Sequence, residues 1–386
     1  MHEKTTSAGI RNTKQPSYYP ALDGVRGWMA FGVLIAHIHL PWFPGAMVLM
    51  ELFFVISGFL ITSIIWRDAT RHGRVHLLDF WKRRLMRLYP VLILVVAVCT
   101  SLACLLVEDP LPSLKDALAT LLYVSNFTKL YDYTLPTIFG QTWSLGIEEQ
   151  FYLLWPLLFL GLFKLRLNAL GVSVCLVLIA AACTLWKIHL INSGVPWSRL
   201  YYAPDTRLDA FVAGGLLALY YPYLKSWCQR PIPHTLLILG SCAYLVLLAF
   251  GTPREMAYFH WQQSTAVLLS TMLTLLLVSP RNSAFKWLFS TKPSVFIGQR
   301  CYSIYLWHWP IIWLLIVTVS PDRMILLAIV PPLVLLLSCL SYSYVEIPFL
   351  AKRKPVGLPV PPDGKPDSII GTPDTSLAKQ PELVAK

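Results

Sequence analysis

Apolar runs of about 20 residues recur along the whole of this 386-residue chain. Each run is long enough to cross the ~30 Å hydrocarbon core of a bilayer as a helix. A backbone in lipid must satisfy its own hydrogen bonds, so only helices and closed barrels can span it. Unbroken runs such as VLILVVAV and TMLTLLLV lack the polar–apolar alternation of barrel strands. The sequence therefore predicts an all-α fold, a polytopic membrane helical bundle.

The composition agrees with a membrane location. Hydrophobic residues make up 56% of the chain and charged residues 13%, whereas about 25% of an ordinary soluble domain is charged. The net charge of +12 would suit nucleic acid, but the basic residues gather at the ends of apolar segments, where they orient membrane proteins. We therefore expect the lipid bilayer, and no nucleic acid, as a partner. The eight cysteines form no CxxC pair and no cluster with histidine, so we expect neither a disulfide framework nor a metal.

Ten membrane-spanning helices are predicted from the apolar runs and from the Pro, Gly and charged residues that interrupt them. Their expected bounds are 23–41, 46–66, 85–107, 143–163, 167–186, 206–224, 235–251, 260–279, 301–319 and 324–345. The stretch 114–128 is too short to span comfortably, and we predict a re-entrant or interfacial helix there.

The distribution of basic residues predicts the orientation of these helices. If the N-terminus is cytoplasmic, 24 of the 32 Lys and Arg residues fall in cytoplasmic segments and seven fall outside. Such an asymmetry places both termini in the cytoplasm. We therefore predict a cytoplasmic N-terminal tail at 1–20, a transmembrane domain at 21–350 and a cytoplasmic tail at 351–386. This last segment is rich in Pro and polar residues and is expected to be disordered.

The first predicted helix carries two ionisable residues, Arg26 and His37. They are 11 positions apart, so they share one face of the helix and lie about 16 Å apart along its axis. Ionisable groups inside a span are costly and indicate function by default. The structural alternatives are an Arg26 that extends to lipid headgroups and a His37 hydrogen-bonded within the bundle.

Glu51 lies a few residues into the second predicted helix, which descends from the outer side. Its depth therefore matches that of His37. A carboxylate beside an imidazole would select its tautomer and raise its basicity, as a general base requires. A structural polar contact between adjacent helices is the alternative.

Arg84 and Arg87 open the third predicted helix at positions i and i+3, so their guanidinium groups share a face. Two such groups near a helix N-terminus suit a phosphorylated ligand that approaches from the cytoplasm. The other basic residues of this loop are explained by topology and by lipid headgroups.

Three further ionisable residues lie at or inside predicted spans. Glu148 and its acidic neighbour open the fourth predicted helix, and because adjacent helical residues point about 100° apart, at most one should face the bundle centre. His308 on the ninth predicted helix suits a core histidine among aromatic residues. Arg207 lies between two aspartates and suits either an interhelical ion pair or an acceptor-binding cluster. Walker A, GxSxG and HExxH motifs are absent from the sequence.

Six motifs, in order, give the chain a recognisable pattern. They are LDGVRG at 22–27 with its Arg-x10-His pair, FFVISGFLIT at 53–62, the RxxR that precedes LYP, WSLGIEEQFYLLWP at 143–156, TRLDAF at 206–211 and YSIYLWHWP at 302–310. Together they resemble the acyltransferase-3 family of membrane acyltransferases, which includes bacterial O-acetyltransferases of cell-surface glycans. The resemblance covers about 20–350, nearly the whole predicted membrane domain.

The resemblance implies transfer of an acyl group, commonly acetyl, from cytoplasmic acyl-CoA to a hydroxyl of a carbohydrate or glycolipid acceptor. Lipopolysaccharide O-antigen and exopolysaccharide are such acceptors, which implies the bacterial inner membrane. His37 matches the catalytic histidine and Arg26 its partner, whereas Arg84 and Arg87 match the pair associated with the acetyl-CoA donor. Glu51 stands where the family usually has aspartate.

In the chemistry that this implies, His37 would take the proton of the acceptor hydroxyl as it attacks the thioester carbonyl. The remaining candidates are supporting or substrate-binding residues: Glu148, Trp143, Tyr152, His308 and Arg207. Trp143, Tyr152 and Arg26 are candidates for stabilising the oxyanion. Direct transfer and an acyl-enzyme intermediate both remain open. We see no fused transfer domain in the sequence, so transfer would finish within the bundle or through a separate protein.

Two other functions fit parts of the pattern. The same family resemblance allows acylation of a small-molecule natural product such as a macrolide. A proton-coupled transporter could use His37, Glu51 and Glu148 as a proton relay, but the sequence lacks the inverted repeat and the paired broken helices that favour transport.

Overall fold

A computed structural model describes residues 18–40, 44–73, 75–131, 137–252 and 255–351. Residues Pro20–Lys352 form one compact unit, which holds every candidate site residue. The segments predicted as tails, 1–20 and 351–386, fall almost entirely outside the described residues.

The described ranges are helical and contain no strand. The helices are α1 (Pro20–His37), α2 (Val48–His72), α3 (Leu77–Leu106), α4 (Leu111–Leu121), α5 (Ser125–Tyr131), α6 (Trp143–Lys164), α7 (Ala169–Asn192), α8 (Trp197–Tyr202), α9 (Leu208–Trp227), α10 (Pro231–Phe250), α11 (Gln263–Val278), α12 (Ala284–Ser290), α13 (Lys292–Gln299), α14 (Cys301–Thr318), α15 (Arg323–Ser341) and α16 (Ile347–Ala351). Short 3₁₀ turns at Gly140–Thr142 and Pro204–Thr206 precede α6 and α9. Turns of π-helix at Tyr258–Gln262 and Tyr342–Glu346 precede α11 and α16.

Eight helices within the described residues are long and apolar enough to cross a membrane. They are α2, α3, α6, α7, α10, α11, α14 and α15, some of them counted with adjoining turns. This finding confirms the all-α, polytopic membrane bundle. The ten predicted spans correspond in order to these eight helices and to α1 and α9.

Helices α1 and α9 have 18 and 20 residues, enough for about 27–30 Å of rise. They fall outside the eight because polar side chains lower their mean hydropathy. In α1 these are Asp23, Arg26 and His37, and in α9 they include Asp209 and Lys225. Helix α1 carries the candidate residues Arg26 and His37, and Arg207 lies immediately before α9.

The stretch 114–128, predicted as one re-entrant or interfacial helix, is two helices, α4 and α5. They are separated at Tyr123, whose φ is 55°. The pair packs against the residues that lead into α6: a carboxylate oxygen of Asp116 accepts the Phe139 backbone N–H at 2.6 Å, and the hydroxyls of Thr120 and Thr142 lie 3.0 Å apart. Asp116, Thr120 and Thr142 are all buried. These buried side chains are hydrogen-bonded within the protein, as buried polar groups usually are.

Glycines let α1 pack closely on α12 and α13. A Cβ on Gly24 would overlap the Phe289 carbonyl, and one on Gly27 would overlap the backbone of Gly298. Close approach through small residues is a usual way in which membrane helices pack. The Trp28 indole also donates to Ser294 Oγ at 3.0 Å. These contacts hold the helix that carries Arg26 and His37.

Glycines also allow close packing of α2 on α9. A Cβ on Gly58 would overlap the Phe211 carbonyl, and one on Gly214 would overlap the Val55 carbonyl. The side chains of Phe54 and Phe211 stack at 4.8 Å between ring centres. The face of α2 that carries these residues is therefore turned towards α9.

Candidate active site

Two histidines meet inside the bundle. His37 ends α1, and its Nδ1 lies 3.1 Å from Nε2 of His308 on α14. The two ring centres are 5.1 Å apart, and the indole of Trp309 lies 5.0 Å from the His37 ring. His308 is fully buried, whereas His37 is half-buried. His308 is thus in the core, as its aromatic surroundings suggested, but it also contacts the proposed catalytic histidine. We call His37 and His308 the histidine pair.

The residues that lead into α6 hold α14 at the level of the histidine pair. The Tyr305 hydroxyl lies 2.6 Å from Ser144 Oγ and donates to the Gln141 carbonyl at 2.5 Å. Gln141 donates to the Leu306 carbonyl at 3.2 Å, and the Trp309 indole donates to the carbonyl of residue 137 at 2.8 Å. Side chains on both sides of His308 in the sequence are therefore anchored.

Glu51 does not bond an imidazole, in contrast to the expectation from its depth. Its Oε1 accepts hydrogen bonds from Arg207 Nη1 and from the Tyr258 hydroxyl, the latter at 2.8 Å. Its Oε2 has no hydrogen-bond partner among the described residues. Depth gives the level of a side chain along the bundle but not its direction, and the packing of α2 on α9 turns Glu51 towards Arg207.

Arg207 is likewise fully buried. Its Nε donates to the Tyr201 carbonyl at 3.0 Å, and its guanidinium lies 4.4 Å from the centre of the Tyr201 ring. Trp143, a candidate for oxyanion stabilisation, packs on the same ring at 4.6 Å. We call Glu51 and Arg207 the buried ion pair.

The aspartates that flank Arg207 have other partners. Asp205 forms two hydrogen bonds with Arg199, at 2.9 and 2.6 Å, and Asp209 pairs with Lys187 at 2.6 Å. This segment therefore forms separate ion pairs, which is one of the two alternatives that the sequence left open.

A chain of hydrogen bonds runs through Ser57 towards the N-terminal half of α1. The Tyr152 hydroxyl donates to Ser57 Oγ at 2.8 Å, and Ser57 donates to Glu148 Oε1 at 2.9 Å. Both Glu148 and Tyr152 interact electrostatically with Arg26. Glu148 is therefore the member of the acidic pair that joins this network. Sequence reasoning gave no role to Ser57, because a lone serine in an apolar helix carries no signal.

Three arginines gather at one end of this network. The Arg84 guanidinium lies over the Tyr152 ring, 3.3 Å from its centre, and its Nε is buried without a hydrogen-bond partner among the described residues. Arg87 is exposed and interacts electrostatically with both Arg26 and Arg84. We call Arg26, Arg84 and Arg87 the arginine cluster. Like charges so close together favour an anion at this position.

A fourth arginine, Arg300, lies near this cluster and was missed from the sequence. Its guanidinium lies over the rings of Phe296 and Tyr342, at 3.5 and 4.5 Å from their centres. Arg87 and Arg300 both interact electrostatically with Glu346, which accepts a hydrogen bond from Ser303 at 2.5 Å. The sequence signal that could have found it is its position two residues before the last motif. The described residues contain no group of three His, Cys, Asp or Glu side chains that could hold a metal ion.

The helices and the site define a multi-pass membrane protein with a pair of imidazoles inside the bundle and a group of guanidinium ions at one end. The chain belongs to the acyltransferase family whose model, described as an acyltransferase domain, matches residues 19–344. It is 34% identical over 316 residues to the O-acetyltransferase OatA of Staphylococcus aureus (strain NCTC 8325 / PS 47), which covers 77% of this chain and 51% of the relative. A putative O-acetyltransferase of S. aureus (strain COL) is 32% identical over 324 residues, 79% of this chain and 52% of the relative.

The chain thus spans about half the length of the curated relatives that it matches. No solved structure matches the chain.

Proposed function

We propose that this protein is an O-acetyltransferase that moves an acetyl group from acetyl-CoA to a hydroxyl of a cell-surface or secreted carbohydrate. The family match and the names of the relatives support the reaction class. The observation that carries the assignment to this site is the histidine pair, an imidazole contact at 3.1 Å inside a membrane bundle. Ionisable groups at such positions are costly and are usually functional.

His37 is the general base in this proposal. The acceptor hydroxyl attacks the thioester carbonyl of the donor while His37 takes the hydroxyl proton. A new C–O bond forms, the C–S bond breaks, and the proton passes to the departing CoA thiolate. A positioned base of this kind contributes about 10²–10⁴-fold to the rate.

The arginine cluster binds the phosphates of the donor. Guanidinium groups bind phosphate oxygens through paired, charge-assisted hydrogen bonds. The exposed Arg87 suits such a ligand, as does Arg84, whose buried Nε has no hydrogen-bond partner in the part of the chain that the structure describes. Tyr152 packs on Arg84 and hydrogen-bonds Ser57, so it keeps Arg84 in place beside Glu148.

The proposed orientation in the membrane relates the position of the arginine cluster to that of His37. The excess of basic residues in the predicted inner segments supports cytoplasmic termini, and we propose the bacterial inner membrane. Arg26 then lies near the cytoplasmic surface, and His37 lies 11 residues further along α1, a rise of about 16 Å. The narrow acyl-bearing arm of the donor would cover this distance, and the acceptor would approach from the outer side.

The test is transfer of labelled acetyl from acetyl-CoA into cell-envelope or secreted glycans, measured in membranes with matched amounts of protein. We expect His37→Ala to lower the rate by about 10²–10⁴-fold. His189→Ala is the matched control, because His189 is an exposed histidine on α7. Equal labelling by wild type and His37→Ala would contradict the proposed base. No label with wild type would contradict a carbohydrate acceptor, and small-molecule alcohols would then be tried.

A further inference from the structure

His308 makes hydrogen bonds through both of its ring nitrogens. Its Nδ1 lies 3.3 Å from the carbonyl oxygen of Ile304, one turn earlier in α14. Its Nε2 lies 3.1 Å from Nδ1 of His37. The imidazole therefore bridges a backbone carbonyl and the proposed catalytic histidine.

The partners of the two nitrogens determine where the protons are. A carbonyl oxygen can only accept a hydrogen bond, so Nδ1 of His308 must carry a proton and donate it. In a neutral imidazole the other nitrogen is then an acceptor. Nε2 of His308 consequently accepts, and Nδ1 of His37 must be the donor.

A neutral His308 is what its surroundings favour. The side chain is fully buried, and burying an imidazolium without an anionic partner is costly. The groups that act on it among the described residues are backbone groups of α14, not carboxylates. The ring orientation is held as well, because Tyr305 packs at 5.4 Å from His308 and Trp309 at 5.0 Å from His37.

We infer that His308 is a positioning residue that holds His37 in the tautomer protonated at Nδ1, which makes Nε2 of His37 the basic nitrogen. This inference rests on the proposed role of His37 as the general base. A neutral imidazole in solution exchanges its proton between the two nitrogens, and the bond made by one nitrogen sets the state of the other. In this enzyme the hydrogen bond that His37 Nδ1 donates to His308 Nε2 fixes the tautomer of His37 before the acceptor arrives.

The arrangement also gives His308 a part after proton transfer. When His37 becomes an imidazolium, its Nδ1–H still donates to Nε2 of His308, and the bond becomes charge-assisted and stronger. The contact therefore stabilises the cation that forms as the acceptor is deprotonated. A carboxylate beside His37 would stabilise the imidazolium in the same way, but the Glu51 carboxylate is hydrogen-bonded to Arg207.

Three variants of His308 separate positioning from packing. The amide oxygen of His308→Gln can reach the position of Nε2 and accept from His37. The shorter side chain of His308→Asn offers the same amide but cannot reach, and His308→Leu fills space without accepting. We expect kcat to fall by on the order of 10²-fold or more in the Leu and Asn variants and to stay within roughly tenfold of wild type in the Gln variant. KM for acetyl-CoA should not change, because the arginine cluster is untouched.

A spectroscopic readout makes the inference independent of activity. Nitrogen-15 NMR of reconstituted protein with labelled histidine distinguishes Nδ1–H from Nε2–H rings, and His37→Gln identifies the signal of His37. We expect His37 to be protonated at Nδ1 in wild type and in His308→Gln, and to populate Nε2–H in His308→Leu. A His37 protonated at Nε2 in wild type would overturn the inference, whether or not the protein transfers acetyl.

The activity outcomes also separate the two claims. Absence of His37-dependent transfer in wild type would contradict the proposed function. Transfer by His308→Leu at the wild-type kcat would overturn the positioning role while the proposed function stands. Equal losses in the Gln and Leu variants, with both proteins folded, would overturn it as well.

Discussion

Two groups of charged side chains differ in how their charges are balanced. In the buried ion pair, Glu51 and Arg207 are both 0% exposed, and each is the other's partner. In the arginine cluster, three guanidinium groups lie together and, within the part of the chain that the structure describes, none of them forms a salt bridge. Charges that are buried and paired stabilise a fold only as a pair. Partly exposed charges of one sign are available to a ligand of the opposite sign.

The largest expected effect comes from breaking the buried ion pair. Arg207→Met leaves the Glu51 carboxylate buried without its cation, which should cost about 3–5 kcal/mol in the free energy of unfolding. Thermal unfolding in detergent, with the folded yield, measures the loss. The double variant Glu51→Met with Arg207→Met is the control, because it removes both charges and should recover much of the stability. A single variant as stable as wild type would mean that the pair does not hold α2 to α9.

Removing two members of the arginine cluster should weaken donor binding more than it lowers stability, in contrast to breaking the buried ion pair. In Arg84→Ala with Arg87→Ala, each lost charge-assisted bond to phosphate costs about 1.5–3 kcal/mol, so KM for acetyl-CoA should rise by at least 10-fold. Folding stability should fall by less than in Arg207→Met, because the lost contact of Arg84 with the Tyr152 ring is offset by the removal of a repulsion between like charges. Lys82→Ala is the control, an exposed basic residue of the same helix. Unchanged affinity for acetyl-CoA in the double variant would remove the phosphate assignment.

Some features of the fold could be predicted from the sequence and others could not, depending on the physical cause of each feature. The thickness of the bilayer sets the length of apolar runs, so the ten long helices were found in order. The division between α4 and α5 was not found, because it occurs at Tyr123, which has a positive φ and is neither Gly nor Asn, the residues that usually mark such a break. Sequence-local signals cannot show it.

The site residues show that contacts within one helix can be predicted from spacing, whereas contacts between residues far apart in the sequence cannot. Arg84 and Arg87 were placed together because both lie on one turn of one helix. The contact between His37 and His308 joins positions 271 apart, and spacing carries no information about it. For Glu51 the sequence left two alternatives open, an imidazole neighbour or a structural polar contact between helices. The structure shows a polar contact with Arg207, and the packing of α2 on α9 decides it rather than depth.

The smallest effect on stability is expected from changing Asp205, which forms a partly exposed ion pair with Arg199. Its carboxyl lies outside the long helices, with Arg199 and the Trp186 indole as hydrogen-bond donors. Partial burial alone would raise its pKa, but these donors and the charge of Arg199 lower it below the usual value. A lowered pKa in the folded state contributes stability above the unfolded pKa, and this contribution is lost as the pH falls through the folded pKa.

We therefore expect Asp205→Asn to lower stability by less than about 1 kcal/mol at neutral pH, because exposed pairs contribute little. The difference from wild type should be constant above about pH 4 and disappear at lower pH. Thermal unfolding of both proteins across this range measures it. A difference that grows as the pH falls would contradict a lowered pKa of Asp205 in the folded state.

The central claim is that donor and acceptor meet at His37 from opposite sides of the membrane. The direct measurement uses sealed proteoliposomes of one orientation, established by protease access to a tag on the N-terminus, with labelled acetyl-CoA on one side and a glycan acceptor on the other. We predict transfer only when acetyl-CoA is on the side of the N-terminus and the arginine cluster, and its loss in His37→Ala. Equal transfer with acetyl-CoA on the opposite side, or transfer that does not depend on His37, would contradict the account.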